Sequence, residues 1–220
     1  MAKPIFQPKI MNQSCPLCNS VSSVFFESHK QIFLQCSCCS LIFLHRNFLL
    51  TSTQEFERYQ LHENNALDKG YQQFVKPLAN YIFSNFLPSH AGLDFGSGKD
   101  SSISYLLKQQ SYNIVQYDPF FKPYNELLTY SYDYIICCEV IEHFYNPVKE
   151  FTLLYSLLKN NGTILCMTDL YNPSIDFGAW YYKNDPTHVS IFSKKTCEWI
   201  AHTYGFTHFE IQNRVILFSK

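Results

Sequence analysis

Residues 71–87 read YQQFVKPLANYIFSNFL, with Phe74, Leu78, Ile82 and Phe86 at four-residue steps and Val75, Ala79 and Phe83 beside them. That spacing lays an apolar stripe along one side and predicts an amphipathic helix. Pro77 falls in its early part, so the helix starts later or bends there. Further on, short apolar runs bounded by turn residues alternate with helical patterns. They predict a strand over 92–95, a helix over 102–109, a strand over 113–117 and a buried strand in YDYIICCEV. In NPVKEFTLLYSLLKNNG, Asn146 suits a helix cap, Pro147 the first helical position and Gly162 the stop. TILCMT reads as a strand, and Ser193 caps a helix over 194–204 that stops at Gly205. THFEIQ and RVILFS are two last strands joined by a turn too short for a crossover, hence antiparallel. The pattern predicts an α/β fold: a doubly wound, Rossmann-like sheet, mostly parallel, with a C-terminal antiparallel pair and helices on both faces.

One stretch breaks this rhythm. Residues 169–192 are long, aromatic and irregular, and a loop of that length in a compact domain is usually functional or disordered. Phe177, Trp180, Tyr181 and Tyr182 argue against disorder and predict a lid or substrate wall.

The first 50 residues follow a different pattern. Cys15 and Cys18 form one C-x2-C pair, Cys36 and Cys39 another, with a hairpin expected between them near Val24–Glu27 and Ile32–Gln35. Two such knuckles aim four thiolates at one ion, so this spacing predicts a small β zinc ribbon with a structural Zn site. Cys38 competes with Cys39, which fits the spacing better; the alternative is four unligated thiols in a hairpin. A segment this small gains most from a metal staple. Three parts result: the ribbon over 1–50, a polar connecting segment over 51–70, and the α/β domain over 71–220.

Composition narrows the setting. Hydrophobic residues make up 46% and charged residues 16%, so the chain folds. Net charge is −1, and Lys9, Lys30 and Arg46 are too few for a phosphate track, which weighs against nucleic acid. MAKPIFQPKIMNQS has no apolar leader core, and IFLQCSCCSLIFLHRNFLL is interrupted by Gln, Ser, His and Arg, so neither export nor a membrane span is expected. The expectation is a soluble cytoplasmic protein whose nine cysteines are thiols or ligands. Cys137, Cys138, Cys166 and Cys197 read as small buried hydrophobes.

The candidate chemistry centres on LDFGSGKD, residues 93–100, which ends the first strand of the sheet. Gly96 and Gly98 permit a tight turn and close approach to a ligand. A dinucleotide fingerprint would need a third glycine at Ser101, and Asp100 is a poor neighbour for a pyrophosphate. Lys99 is not in a phosphate-loop frame either. The second strand ends at Asp118, whose carboxylate can accept both ribose hydroxyls, while Asp94 would welcome a cationic group. A nucleoside bearing an amino acid and a sulfonium, S-adenosyl-L-methionine, fits these constraints.

With LDFGSGKD, VQYDPFF, YDYIICCEVIEHFYNP and SKKTCEWIAHTYGF in place, residues 70–220 resemble the class I S-adenosylmethionine-dependent methyltransferases. The resemblance implies that Asp94, Gly96, Ser97 and Gly98 contact the methionine part and Asp118 the ribose. Asp100 stands where the family often has a third alternate glycine. The cysteine module is similar to one ahead of some sugar C-methyltransferases, although those chains usually continue into another domain.

Methyl transfer is an in-line displacement that needs a placed nucleophile, exclusion of water and sometimes proton removal, and no metal. Glu139 lies nearest the end of its strand and can face the cofactor, while Glu142 and His143 open the following turn. Catalysis and loop capping are equally open for these two. DPTHVSIFS resembles a family segment whose histidine faces the substrate, which makes His188 the candidate base, helped by Tyr182 or Asp185. Tyr59, His62 and Tyr71 are further candidates for covering the cofactor. The expected function is methyl transfer to a small-molecule acceptor. The alternatives are an RNA or protein acceptor with the ribbon as docking module, or a non-catalytic cofactor binder.

Overall fold

The computed structural model describes residues 13–61 and 65–220; Lys9 and His62 lie outside the described residues. The main sheet contains β4 (Gly92–Phe95), β5 (Ile114–Tyr117), β6 (Tyr132–Cys138), β7 (Leu158–Met167), β9 (His208–Gln212) and β10 (Val215–Ser219). Its order is β5-β4-β6-β7-β10-β9. The first four strands are mutually parallel, and β10 runs antiparallel to both β7 and β9. The expected doubly wound sheet with its C-terminal pair is present.

Both faces are covered because the buried strands are apolar on both sides. Tyr134 and Ile136 of β6 join a cluster with α2 (Lys69–Asn85) and α3 (Ser102–Gln109). Ile135 and Cys137, one residue out of phase, join the cluster of α4 (Pro147–Leu157) and α5 (Lys194–Tyr204). The alternation follows the two-residue period of a strand.

Helix α2 begins earlier than Pro77 suggested and runs through it. Asp68 caps it, accepting from the Tyr71 amide at 2.6 Å. Pro77 and Gln73, the residue whose carbonyl loses its partner, are both exposed, so water can satisfy that carbonyl. The buried stripe is Val75, Leu78, Ala79 and Ile82, turned slightly from the predicted one, which leaves Phe74 and Phe86 on its flank.

The N-terminal hairpin forms as β1 (Ser22–Glu27) and β2 (Ile32–Cys36), but it does not stand alone. A third strand, β3 (Ile42–Leu44), extends it, and β3 pairs in turn with β8 (Ser190–Ile191) from the far end of the irregular loop. The ribbon and the α/β part therefore share a sheet across the boundary expected at residue 50. The loop aromatics that precede β8 pack on the same ribbon. Phe177 is buried against Phe25, Phe26 and Phe33 with ring centroids 5.0, 5.4 and 5.2 Å apart. Tyr182 is buried in the same cluster, Trp180 packs on it, and Tyr181 stays exposed. The expected lid is thus mainly a wedge that joins the loop to the ribbon. The cause is the apolar face and unpaired edge that a three-stranded ribbon presents, which the loop covers.

The polar segment after residue 50 forms α1 (Ser52–Gln60), with a capping box between Thr51 and Gln54. No helix among the described residues is long and apolar enough to cross a membrane.

Candidate active site and metal centre

The four predicted zinc ligands meet. Cys15 Sγ lies 3.5 Å from Cys39 Sγ, Cys18 Sγ lies 3.3 Å from Cys36 Sγ, and all four are within 4.8 Å of one another. Thiolates bound to one zinc stand about 3.8 Å apart, so little adjustment is needed. Each knuckle is followed by a residue in the left-handed region, Asn19 (φ 58°) and Ser40 (φ 60°). The Leu17 amide donates to Cys15 Sγ and the Cys38 amide to Cys36 Sγ, both at 3.4 Å. A hydrogen bond from Cys39 lowers the Cys15 thiol to about 6, while burial pushes Cys36 up to about 11, as expected where clustered sulfurs compete for negative charge. Cys38 is exposed and outside the cluster, so the geometry groups Cys39, and not Cys38, with the other three cysteines. The donor set fits a closed, structural Zn site.

The glycine loop lies where β4 ends. Gly96 and Gly98 have φ of 77° and 62°, and a Cβ on Gly96 would meet the Val140 methyls at 2.7 Å. The Gly96 and Ser97 amides donate to the Tyr117 carbonyl, tying the loop to β5. Asp94 is buried beneath it, and Oδ2 accepts from Ser101 Oγ at 2.5 Å and Ser104 Oγ at 2.6 Å. Burial raises its pKa against those bonds, so a cationic group nearby would relieve it. Ser101 also caps α3, which explains why a serine suits the position of the missing third glycine.

Asp118 is more engaged than the sequence suggested. Oδ2 accepts from the Gly98 amide, and Oδ1 from those of Phe120 and Phe121, all at 2.9 Å. It shapes both loops while lining the cavity, and of its four lone pairs one, on Oδ2, has no partner among these bonds. Lys122, absent from the expected set, donates from Nζ to the Gly98 and Lys99 carbonyls at 2.6 Å. Asp94, Asp100 and Asp118 all act on its charge, so Asp100 belongs to an acidic group that Lys122 offsets.

A cavity of about 910 Å³ opens at the carboxyl ends of β4, β5 and β6. Asp94, Gly96, Ser97, Gly98 and Asp118 line it, as do Glu139, His143 and His188. Tyr59 and Tyr71 reach it too, and α1 packs beside it through Phe56, 5.8 Å from the rings of both Phe120 and Phe121. Glu139 has φ 53° and accepts from Arg214 at 2.9 and 3.1 Å, a partner 75 residues away that no local signal announced. Burial and the neighbouring Glu142 push Glu139 up to about 8 despite Arg214.

Glu142 and Tyr182 lie behind the cavity wall, not on it. Glu142 is fully buried; Oε1 accepts from the Tyr182 hydroxyl at 2.7 Å and Oε2 from Thr168 Oγ1 at 3.0 Å. His188 Nδ1 donates to the Tyr182 carbonyl at 2.7 Å, and His143 Nδ1 to that of Thr187 at 3.0 Å. Because carbonyls only accept, both Nδ1 atoms carry hydrogen, and in the neutral ring the lone pair then sits on Nε2. The two rings meet edge to face at 4.9 Å. Asp185 does not touch His188's ring nitrogens here. It accepts from Thr187 and pairs with Arg58 of α1 at 2.8 Å. Burial alone would raise its carboxyl, but these partners hold it well below the usual carboxylate range.

Residues 63–211, well over half the chain, match a methyltransferase-domain family. No curated protein matches the chain. Structures similar to it include a SAM-dependent methyltransferase from Archaeoglobus fulgidus, 19% identical, covering 63% of this chain and 71% of that one (TM-score 0.48). Magnesium protoporphyrin IX methyltransferase from Synechocystis PCC 6803, with bound SAM, is 15% identical over 80% of this chain and 94% of its own (TM-score 0.48). An O-methyltransferase family protein from Burkholderia thailandensis is 12% identical over 67% of this chain (TM-score 0.48), and the match spans 56% of that protein's length. From the family match and the sheet order together, the chain belongs to the methyltransferase-domain family, on the class I S-adenosylmethionine-dependent fold.

Proposed function

We propose that the cavity binds S-adenosylmethionine along the glycine loop and passes its methyl group to a small-molecule acceptor placed against His143 and His188. One observation carries this reading: a single cavity is lined both by the loop residues and by the two imidazoles. When bound, the cofactor supplies an electrophilic methyl carbon on a sulfonium. Gly96, Ser97 and Gly98 bring backbone close to the methionine portion, and the buried Asp94 favours its positive charge. Asp118 holds the loop and offers its remaining lone pair, on Oδ2, to a ribose hydroxyl. Glu139, fixed by Arg214, stands between these residues and the imidazoles in the chain.

His188 is the candidate base. The Tyr182 carbonyl fixes its tautomer, so Nε2 is the atom able to take the acceptor's proton. Tyr182 and Glu142 act through it as positioning residues, since neither lines the cavity. The zinc ribbon is structural, holding the segment that carries His188, and the unpaired thiols suit a cytoplasmic setting. A small acceptor is favoured over RNA by the net charge of −1.

Calorimetry with S-adenosylmethionine tests the first half of the reading, and absence of binding would refute it. Label transfer from methyl-labelled cofactor to small-metabolite pools tests the second. Binding without transfer to any pool would leave a cofactor-binding protein.

A further inference from the structure

We infer that Glu142, His143 and His188 bind a divalent cation at the imidazole end of the cavity, and that the cation holds a hydroxyl of the methyl acceptor. This rests on the reading above and assigns His188 Nε2 to the ion instead of to the acceptor's proton.

Geometry is the first support. One ligand atom from each of the three residues falls within 4.8 Å of the other two, and donors around one first-row cation span up to about 4 Å. Small side-chain rotations close that gap. The residues come from two segments held side by side: the Val189 amide donates to the Glu142 carbonyl at 2.9 Å, and Ser190 Oγ donates to the Phe144 carbonyl at 2.7 Å. The site is thus organised before any ion arrives.

The surrounding bonds are the second support. Metal-binding histidines commonly give their other ring N–H to a carbonyl or carboxylate, and ligand carboxylates are themselves hydrogen-bonded. Here both Nδ1 atoms are tied to main-chain carbonyls, and each Glu142 oxygen takes a hydroxyl. An ion would take the Nε2 side of each ring and an oxygen of Glu142.

Charge is the third. Glu142 is fully buried, and among the described residues no lysine or arginine forms an ion pair with it. A buried carboxylate held only by neutral hydroxyls is still costly to keep ionised, and a cation between it and two imidazoles offsets that cost.

Three protein ligands leave coordination positions open, as in catalytic and not structural sites. His143 and His188 line the cavity, so those positions face the acceptor's side. The ligand class that follows is a hydroxyl-bearing small molecule. Coordination lowers the hydroxyl's pKa, and its proton leaves to solvent. The oxygen then forms a bond to the methyl carbon while the carbon–sulfur bond breaks and its electron pair returns to sulfur. The products are a methyl ether and a neutral thioether.

The test uses the full chain with its ribbon loaded with zinc. Mn2+ is titrated and followed by electron paramagnetic resonance, and Co2+ by visible absorption. The expected result is one equivalent bound beyond the ribbon's metal. Affinity should fall at least about tenfold in Thr168→Val, which removes the hydroxyl bonded to Glu142 and to the Tyr182 hydroxyl, and be lost in His143→Gln and His188→Gln. Zinc content and S-adenosylmethionine affinity serve as folding controls and should stay unchanged. If neither ion binds the native chain, or both bind the histidine variants equally well, the cation site is overturned. If S-adenosylmethionine binds and labelled methyl is still transferred after the second metal is removed, the cation falls while His188 as base stands. If S-adenosylmethionine itself fails to bind, the underlying functional reading falls.

Discussion

Two clusters of ligand-type side chains stand among the described residues, and they are built in opposite ways. The four cysteines come from two short knuckles, each of whose turns is closed by its own neighbours. Glu142, His143 and His188 come together because β8 pairs with β3 and because Val189 and Ser190 bond directly to the turn that holds Glu142 and His143. The first cluster is local and closed; the second is assembled and open to the cavity. Yet they are linked, since the strand that seats His188 is the fourth strand of the cysteine-bearing sheet. A site that looks remote from the ribbon therefore depends on it.

The sharpest way to break this comparison is to remove one zinc ligand. Cys36→Ser leaves a buried hydroxyl beside three thiols and abolishes a closed tetrahedral site. The expected loss is at least about 4 kcal/mol of stability, seen as a large fall in thermal midpoint together with loss of bound zinc. If the ribbon were independent, S-adenosylmethionine affinity and methyl transfer would survive. Because β8 belongs to its sheet, transfer is expected to fail even at temperatures where the far-ultraviolet spectrum is retained.

Next in size is Phe177→Ala. This ring is buried against three phenylalanines of the ribbon and is the main apolar tie between it and the irregular loop. Removing it leaves a cavity and costs about 3–4 kcal/mol. Chemical denaturation should report the loss, while zinc stays bound. A change below about 1 kcal/mol would mean that the loop does not rely on the ribbon.

Gly96→Ala probes the other end of the cavity. A Cβ there meets Val140 at 2.7 Å on a backbone with φ 77°, so the loop must shift. Strain of this kind is worth about 1–3 kcal/mol, and S-adenosylmethionine affinity should fall roughly tenfold to a hundredfold. Zinc content should not move, which separates this end of the molecule from the ribbon.

The same contrast explains what could be read in the chain beforehand. β4, α3 and α5 were legible because their signals are local: an apolar run, a serine cap, a glycine stop. The cysteine cluster was legible because its spacing is its geometry. Helix α1 carried a readable signal in Thr51 and Gln54, but none of its residues is buried, so no apolar stripe marked it. β8 was not legible, since two residues cannot show a period and their partner lies some 150 residues earlier. Lys122 and Arg214 were missed for the same reason, their partners being 24 and 75 residues away. The aromatic loop reads as a lid or substrate wall because aromaticity marks a packed surface without saying what packs on it.

The smallest expected effect comes from Arg58→Ala, and it sharpens the comparison most finely. Arg58 of α1 reaches Asp185 in the loop that carries His188, at 2.8 Å, with the arginine side chain 37% exposed. An ion pair so placed is screened by solvent, and its removal should cost less than about 1 kcal/mol of stability. Its effect on the cavity is of another kind. Asp185 also accepts from Thr187, whose carbonyl holds His143. Loss of Arg58 therefore loosens one wall of the assembled cluster without touching the cysteines or the glycine loop. Methyl transfer should drop several-fold with stability, zinc content and cofactor affinity nearly unchanged, and Arg58→Lys should restore part of it. An unchanged rate in Arg58→Ala would mean that Thr187 and the β8 pairing alone hold the imidazoles in place.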